Sequence, residues 1–120
     1  MIFSKNREPG NPVTDFAEIR AAFSSLGHTP LCFRLEKAPS EFIECEGRMD
    51  NLAIRIMTPA TGLEILGVSK EDRGDAVIPG LAGPVEVKKN ERLQLEDALI
   101  NFEAFFKDNP LPNAYVRRKL

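Results

Sequence analysis

Residues 90–107, NERLQLEDALINFEAFFK, predict the amphipathic helix around which the rest of the chain is arranged. Apolar residues recur there at i, i+3, i+4 and i+7, the spacing that gathers side chains on one side of an α-helix. Asn90 suits the N-cap, and Asn109-Pro110 stops the helix because the residue before proline disfavours the α region. Another layer must cover the apolar stripe, which consists of Leu95, Ala98, Leu99, Phe102, Phe105 and Phe106.

A second one-sided helix is predicted near the start of the chain, from about residue 12 to residue 26. Asn11-Pro12 suits the N-cap and first turn, and Gly27 suits a left-handed C-cap. Because both helices are apolar on one side only, we expect them to lie on something flat. The apolar side of this helix is formed by Phe16, Ile19, Ala22, Phe23 and Leu26.

The middle of the chain predicts the sheet that the helices cover. Residues 31–36 and 52–56 alternate strictly between apolar and polar side chains, as half-buried strands do. Further strands are expected over 41–46, 63–68 and 84–88. The links are short and carry glycine and proline, which favours antiparallel neighbours. The expected fold is α+β with two layers, in which a four- to five-stranded antiparallel meander sheet lies between the two helices in sequence and carries both on one face.

The alternation also predicts how the strands are aligned. One register buries the aliphatic side chains of four strands on the same face, and a slip of one residue would turn them all outward. On the outer face this register forms a row of charges of alternating sign, Arg34, Glu44, Arg55 and Glu64. Opposite charges directly across a ladder are worth roughly 0.2–1 kcal/mol each. In this register Cys45 points inward and Cys32 outward, so no disulfide is expected.

Length and composition fit one domain in a chain of 120 residues. We expect a flexible N-terminal arm over 1–11, the α+β domain over 12–109 and a basic tail over 110–120. A net charge of −2 gives no strong field towards nucleic acid or an anionic membrane, and no apolar run approaches the length of a membrane span. With two cysteines and no signal-peptide pattern, the expected location is the cytoplasm.

The candidate catalytic residues form no constellation, and neither a cofactor nor a metal is expected. His28 is the only histidine, and it follows a predicted helix end, where it can satisfy backbone carbonyls. Cys32 and Cys45 lack CxxC spacing, and one histidine cannot complete a four-ligand zinc site with them. A nucleophilic Cys32 near His28 is the alternative to simple packing roles. The sequence therefore leans against an enzyme.

Apolar residues outside the predicted core stripes indicate an interaction surface. They fall on the outer face of the sheet and on the back of the second helix, at Ala53, Leu66, Val68, Leu93 and Ile100. An apolar patch on an outward face marks a partner site, and symmetric dimers are the commonest soluble oligomers. We therefore expect a small non-catalytic binding module of the adaptor, chaperone or inhibitor type, acting on a protein partner or as a homodimer.

A nucleic-acid-binding protein is the first alternative. It would use two outward arginines and the basic end of the chain, namely Arg34, Arg55, Arg117, Arg118 and Lys119. Single-strand platforms need exposed aromatic side chains and spare positive charge. Because Glu44 and Glu64 are expected to neutralise the sheet arginines, the sequence disfavours nucleic acid as a partner.

A small-ligand-binding protein or enzyme is the second alternative. Its pocket would lie at loop 69–84, with Ile78 and Leu81 as apolar lining. Loops of this length in small domains are often functional. Glycine and proline interrupt residues 76–84, so the pattern predicts neither a long helix nor a regular strand there.

Overall fold

A computed structural model describes residues 1–68 and 73–120 and shows an α+β protein with a large antiparallel sheet. This part of the chain forms nine strands, two α-helices and one 3-10 turn. In chain order these are β1 (Ile2–Lys5), β2 (Asn11–Pro12), α1 (Phe16–Phe23), β3 (Leu31–Ala38), β4 (Glu41–Arg48), β5 (Asn51–Thr58), β6 (Gly62–Val68), β7 (Asp75–Gly80), β8 (Gly83–Lys88), η1 (Lys89–Glu91), α2 (Leu95–Phe106) and β9 (Tyr115–Lys119).

The main sheet has seven strands in the order β2-β1-β3-β4-β5-β6-β9, and each neighbouring pair is antiparallel. The predicted α+β class and antiparallel sheet are confirmed, but the sheet is wider than predicted. Residues 1–11, expected as a flexible arm, supply β1 and part of β2. Residues 110–120, expected as a tail, supply β9. Both strands are too short for their alternation to stand out in the sequence.

The main core lies between the helices and the sheet. Asp15 caps α1 by accepting a hydrogen bond from the Ala17 amide at 2.9 Å. Phe23 packs against Phe33 of β3 and Phe102 of α2, with ring centroids 4.8 and 4.9 Å apart. Inward residues of β3, β4 and β5 belong to the same buried cluster as the apolar sides of both helices. The helix–sheet packing therefore encloses one continuous core.

Helix α2 starts later than predicted. Asn90 does not cap it but lies buried in η1, where its side-chain amide donates to the Val68 carbonyl at 3.3 Å. Gln94 is the N-cap, and its backbone N–H donates to the Asp97 carboxylate at 2.9 Å. The intervening residue Leu93 leaves the helical path and pairs with Leu52 of β5.

The predicted register is confirmed for three strands and wrong for the fourth. Arg34 faces Glu44, and Glu44 faces Arg55, as expected. Arg55, however, faces Ile65 rather than Glu64. This offset turns Leu66 towards the main core, where Val68 also packs. The sequence of β6 fits either register because each of its faces carries apolar side chains, and Ile65 and Leu66, which lie on opposite faces, are both buried in the folded protein.

A third layer, which the sequence did not predict, covers the outer face of the sheet. Strands β7 and β8 form a separate hairpin, so residues 84–88 pair with β7 and not with the main sheet. Ile78 and Val87 pack on Ala53 and Ile65 to form a second, smaller core. Of the expected loop 69–84, residues 69–72 lie outside the described part, and most of the remainder is this hairpin.

Candidate functional site

The cysteines and the histidine are not placed for nucleophilic chemistry. Burial, aided by the nearby charges of Glu44 and Glu46, raises the pKa of the Cys32 thiol to about 11. Burial also raises the pKa of Cys45. His28 lies exposed after α1. Since a thiolate is the reactive species, both thiols stay protonated and inert at neutral pH. Within residues 1–68 and 73–120, no cluster of three metal-ligating side chains occurs.

The outward arginines of the sheet are held by two buried glutamates. Arg34 donates through Nε to Glu44 Oε2 at 2.9 Å, and Arg55 donates through Nη2 to Glu44 Oε1 at 2.9 Å. Arg55 also contacts Glu46. Arg34 stacks over the ring of Phe42 at 3.8 Å. These arginines are therefore committed to internal ion pairs, which does not favour phosphate binding.

The two residues predicted to line a pocket instead hold the hairpin on the sheet. Ile78 is fully buried in the second core. The Leu81 backbone N–H donates to Glu46 Oε2 at 2.8 Å, which joins the hairpin turn to β4. Because a buried carboxylate needs hydrogen-bond donors, Glu46 is satisfied by this contact together with Arg55.

The predicted interface residues are mostly internal. Ala53 and Leu66 are fully buried, and Leu93 is 1% exposed. Val68 is half-buried against the main core. Only Ile100, on α2, is well exposed, at 40%. The outward orientation expected for Leu66 and Val68 is corrected by the register of β6, and Leu93 lies in the core because it bridges to β5.

A groove that the sequence did not predict lies between the hairpin and the end of the chain. We call it the hairpin groove; its volume is about 430 Å³. Its apolar walls are Ala76, Val77, Val87 and Leu120. Its charged walls are Asp75, Glu86, Lys88 and Arg118. Val77 and Leu120 are 54% and 55% exposed, the two highest values among the large apolar residues.

A second cavity, of about 380 Å³, lies over β1 and β3. Arg34 on its wall contacts Glu44 and lies 3.9 Å from Glu36. Arg7, also on its wall, lies 3.6 Å from Glu46. Its cations are thus matched by neighbouring carboxylates, and the hairpin groove is the better candidate for binding.

The strand beside the hairpin groove is fastened at both ends by side chains. Arg118 of β9 makes a two-point contact with Glu91, through Nε to Oε2 at 2.8 Å and Nη2 to Oε1 at 2.9 Å. The Lys88 backbone N–H also donates to Glu91, at 2.7 Å. At the other end, the Tyr115 hydroxyl donates to Asp97 Oδ1 at 2.6 Å. Burial and the Asp97 charge raise the pKa of Tyr115, so this hydroxyl stays a donor.

Strand β9 is the last strand of the main sheet and pairs, within the described residues, with β6 alone. The Leu120 backbone N–H donates to the Leu63 carbonyl at 3.0 Å. Alternate residues of an antiparallel strand turn their backbone groups to the same side, so Arg118 and Val116 also face β6. The backbone groups of Arg117 and Lys119 therefore point to the free edge.

The three basic residues predicted for nucleic-acid binding have unequal surroundings. Arg118 is bound to the buried Glu91, whereas Arg117 lies 3.5 Å from Glu64. Lys119 is exposed and lies across the ladder from Glu64. The basic pattern located this segment in the sequence, but nothing in the sequence marked it as a strand edge beside a groove.

The fold and this site together define an α+β protein with a covered antiparallel sheet and a groove beside one sheet edge. A scan against protein-family models found no match, and no curated protein matches the chain significantly. Among the described residues, no helix combines the length and apolar character needed to cross a membrane.

Proposed function

We propose that this chain is a non-catalytic protein-interaction module of the adaptor, chaperone or inhibitor type, whose partner binds at the hairpin groove and the adjoining edge of β9. The observation that carries the proposal is the exposure of Val77 and Leu120, 54% and 55%, on the walls of one groove. Apolar side chains exposed together and rimmed by charged residues are typical of partner sites. Since burial raises the pKa of both thiols, the proposal gives Cys32 and Cys45 packing roles.

The partner we propose is a different protein and not a second copy of the chain. The homodimer predicted from the sequence relied on five residues, of which only Ile100 is well exposed. A stable interface removes roughly 800 Å² from water on each partner, which is far more than one isoleucine supplies. The hairpin groove offers two exposed apolar side chains and a concave shape in one place.

The proposal is tested by placing a charge on each apolar wall of the hairpin groove. We expect Val77→Asp and Leu120→Asp each to lose a partner that the wild-type chain enriches from a lysate of its own cells, because the partner would have to bury the new carboxylate. Quantitative mass spectrometry of the captured proteins gives the measurement.

Met49→Asp is the matched control for this experiment. Met49 is 46% exposed and lies at the link between β4 and β5, outside the hairpin groove. We expect the Met49→Asp chain to retain the partner. Equal retention of the partner by all four chains, or no enriched protein at all, contradicts the proposal.

A further inference from the structure

The free edge of β9 is a preformed site for strand addition. The backbone groups of Arg117 and Lys119 point away from β6, and Arg118 and Tyr115 fasten the strand to Glu91 and Asp97. An extended segment that pairs with an exposed sheet edge gains main-chain hydrogen bonds. Because β9 is already held in place, little conformational freedom of the strand is lost on binding.

One side of β9 has an excess of positive charge. Arg117 and Lys119 lie on the same face of the sheet, as alternate residues do. Both are placed next to Glu64, which lies across the ladder from Lys119 and 3.5 Å from Arg117. Two cations thus share one carboxylate, and an added strand that presents acidic side chains on this face would complete the pairing.

The other side of β9 favours apolar side chains. Arg118 and Leu120 lie on that face, and both belong to the walls of the hairpin groove. Arg118 is paired with Glu91, because its Nε and Nη2 atoms donate to the two carboxylate oxygens of Glu91. Asp75 and Lys88 on the opposite wall are paired at 2.7 Å. The fourth charged wall residue, Glu86, is exposed to solvent. The exposed side chains of Leu120 and Val77 are therefore the apolar surface that a ligand in the groove would cover.

We propose that the partner binds as an extended segment in which acidic and apolar residues alternate, added to the free edge of β9 with its acidic side chains beside Arg117 and Lys119 and its apolar side chains beside the hairpin groove. This inference rests on the function proposed above and names the chemistry of the partner. Alternation is required because successive side chains of a strand point to opposite faces.

A second copy of this chain does not meet the requirement. Antiparallel pairing of β9 with itself about Arg117 would place the two Arg117 side chains directly opposite each other. Each copy also brings Arg118 and Lys119 into the same short ladder. Like charges directly opposite destabilise strand pairing, and basic residues on an edge strand commonly prevent self-association. The free edge of β9 therefore favours pairing with an acidic strand and disfavours pairing with the β9 strand of a second copy.

The test uses a fluorescein-labelled peptide, Glu-Val-Glu-Val-Glu-Val with blocked ends, titrated with the full chain and followed by fluorescence anisotropy. We expect binding that weakens as salt rises. We expect Arg117→Gln combined with Lys119→Gln to weaken it by about tenfold, because the two cations are lost. The peptide Lys-Val-Lys-Val-Lys-Val is expected not to bind. Binding of the lysine peptide as strong as that of the glutamate peptide would overturn the inference.

Two N-methylated peptides test strand addition itself. In antiparallel pairing, the residues opposite Arg117 and Lys119 direct their N–H groups at β9, and these are the glutamates. In parallel pairing the valines do so. We therefore expect N-methylation of one set to abolish binding. Undiminished binding of both methylated peptides would show that the attraction is only electrostatic and would overturn the inference.

The failure of this inference is distinguishable from failure of the proposed function. If Val77→Asp loses the cellular partner while the double glutamine variant keeps it and the peptide does not bind, the groove is a partner site but strand addition is wrong. If Val77→Asp and Leu120→Asp keep the partner, the proposed function fails as well.

Circular dichroism verifies that the Arg117→Gln, Lys119→Gln double variant is folded. The glutamine side chains preserve most of the length and polarity of the side chains that they replace.

Discussion

At the scale of single residues, Glu91 joins three segments of the chain. It is 2% exposed, accepts a hydrogen bond from the Lys88 amide at the end of β8, and pairs with Arg118 of β9. Burial alone would raise the pKa of Glu91, but the hydrogen bonds from Arg118 and the Lys88 amide outweigh it and lower the pKa below its ordinary value of 4.5. The same contact raises the pKa of Arg118.

The lowered pKa of Glu91 predicts a loss of stability in acid. A carboxyl whose pKa is lower in the folded chain stabilises the fold above its unfolded pKa, here 4.5, and this contribution disappears as the pH falls through the folded pKa. Glu91→Gln should therefore cost about 1–3 kcal/mol at pH 7, since hydrogen bonds to charged groups are lost. The cost should shrink well below pH 4.5. Urea unfolding of the wild-type and Glu91→Gln chains at neutral and at acid pH measures the cost of the substitution under each condition.

The exposed Glu86 provides the control for Glu91. Glu86→Gln changes the same functional group in β8, the strand that precedes the 3-10 turn of Glu91. We expect its effect on the unfolding free energy to stay within about 0.5 kcal/mol at either pH. If Glu91→Gln cost the same at acid pH as at neutral pH, its effect would come from packing and not from the charge.

At the scale of elements, the sequence predicted the long strands, whose apolar and polar residues alternate, and missed the short strands β1 and β9. Strict alternation in β3 and β5, with Ile43 and Cys45 placed on one face of β4, was enough to predict the pairing of Arg34 with Glu44 and of Glu44 with Arg55. Each face of β6 carries apolar side chains, so the sequence pattern could not set the register of that strand. The strands β1 and β9 have four and five residues, and their place in the sheet depends on contacts distant in the chain.

The candidate site was beyond prediction for the same reason. The sequence picked out residues 69–84 as functional and the end of the chain as basic, but it treated them as separate features. These two parts of the chain form one groove because the β7–β8 hairpin lies across β5 and β6, next to β9. Leu120 is the last residue of the chain, and no periodic pattern marks it as part of a wall.

The docking of the hairpin predicts a severe effect of one small substitution. A Cβ atom at Gly80 would lie 2.8 Å from Glu46 Oε2 and 2.7 Å from the Gly83 carbonyl oxygen. Gly80→Ala should push the turn away from β4, weaken the hydrogen bond between Leu81 and Glu46, and cost about 1–3 kcal/mol. Hydrogen exchange should speed up in β7 and β8, with the Leu81 amide most affected.

Gly27→Ala is the matched control for the hairpin. A Cβ atom at Gly27 meets nothing within 4 Å, and Gly27 is not among the glycines with positive φ. We expect this variant to keep or slightly raise stability, because alanine restricts the unfolded chain. Unchanged exchange at Leu81 in the Gly80→Ala chain would mean that the turn is not held by Glu46.

At the scale of the whole molecule, the described residues pack into three layers around two cores. The main core lies between the helices and the sheet, and the smaller core of Ala53, Ile65, Ile78 and Val87 lies between the sheet and the hairpin. The strands β5 and β6 contribute to both cores. Damage to the main core should therefore reach the whole fold, whereas damage to the hairpin turn should stay more local.

Phe102→Ala tests this division of the molecule. Phe102 is fully buried and meets the edge of Phe23 on the other helix, with ring centroids 4.9 Å apart. Removing a core aromatic ring costs about 3–5 kcal/mol. We expect the urea midpoints seen by far-ultraviolet circular dichroism and by the fluorescence of Tyr115, the one tyrosine, to fall together.

Ile100→Ala is the control for Phe102→Ala. Ile100 lies on the exposed side of α2, and its replacement should cost about 1 kcal/mol or less. If the Tyr115 midpoint of the Phe102→Ala chain stayed at the wild-type value, β9 would unfold independently of the main core, and its edge would not be the fixed template that strand addition requires.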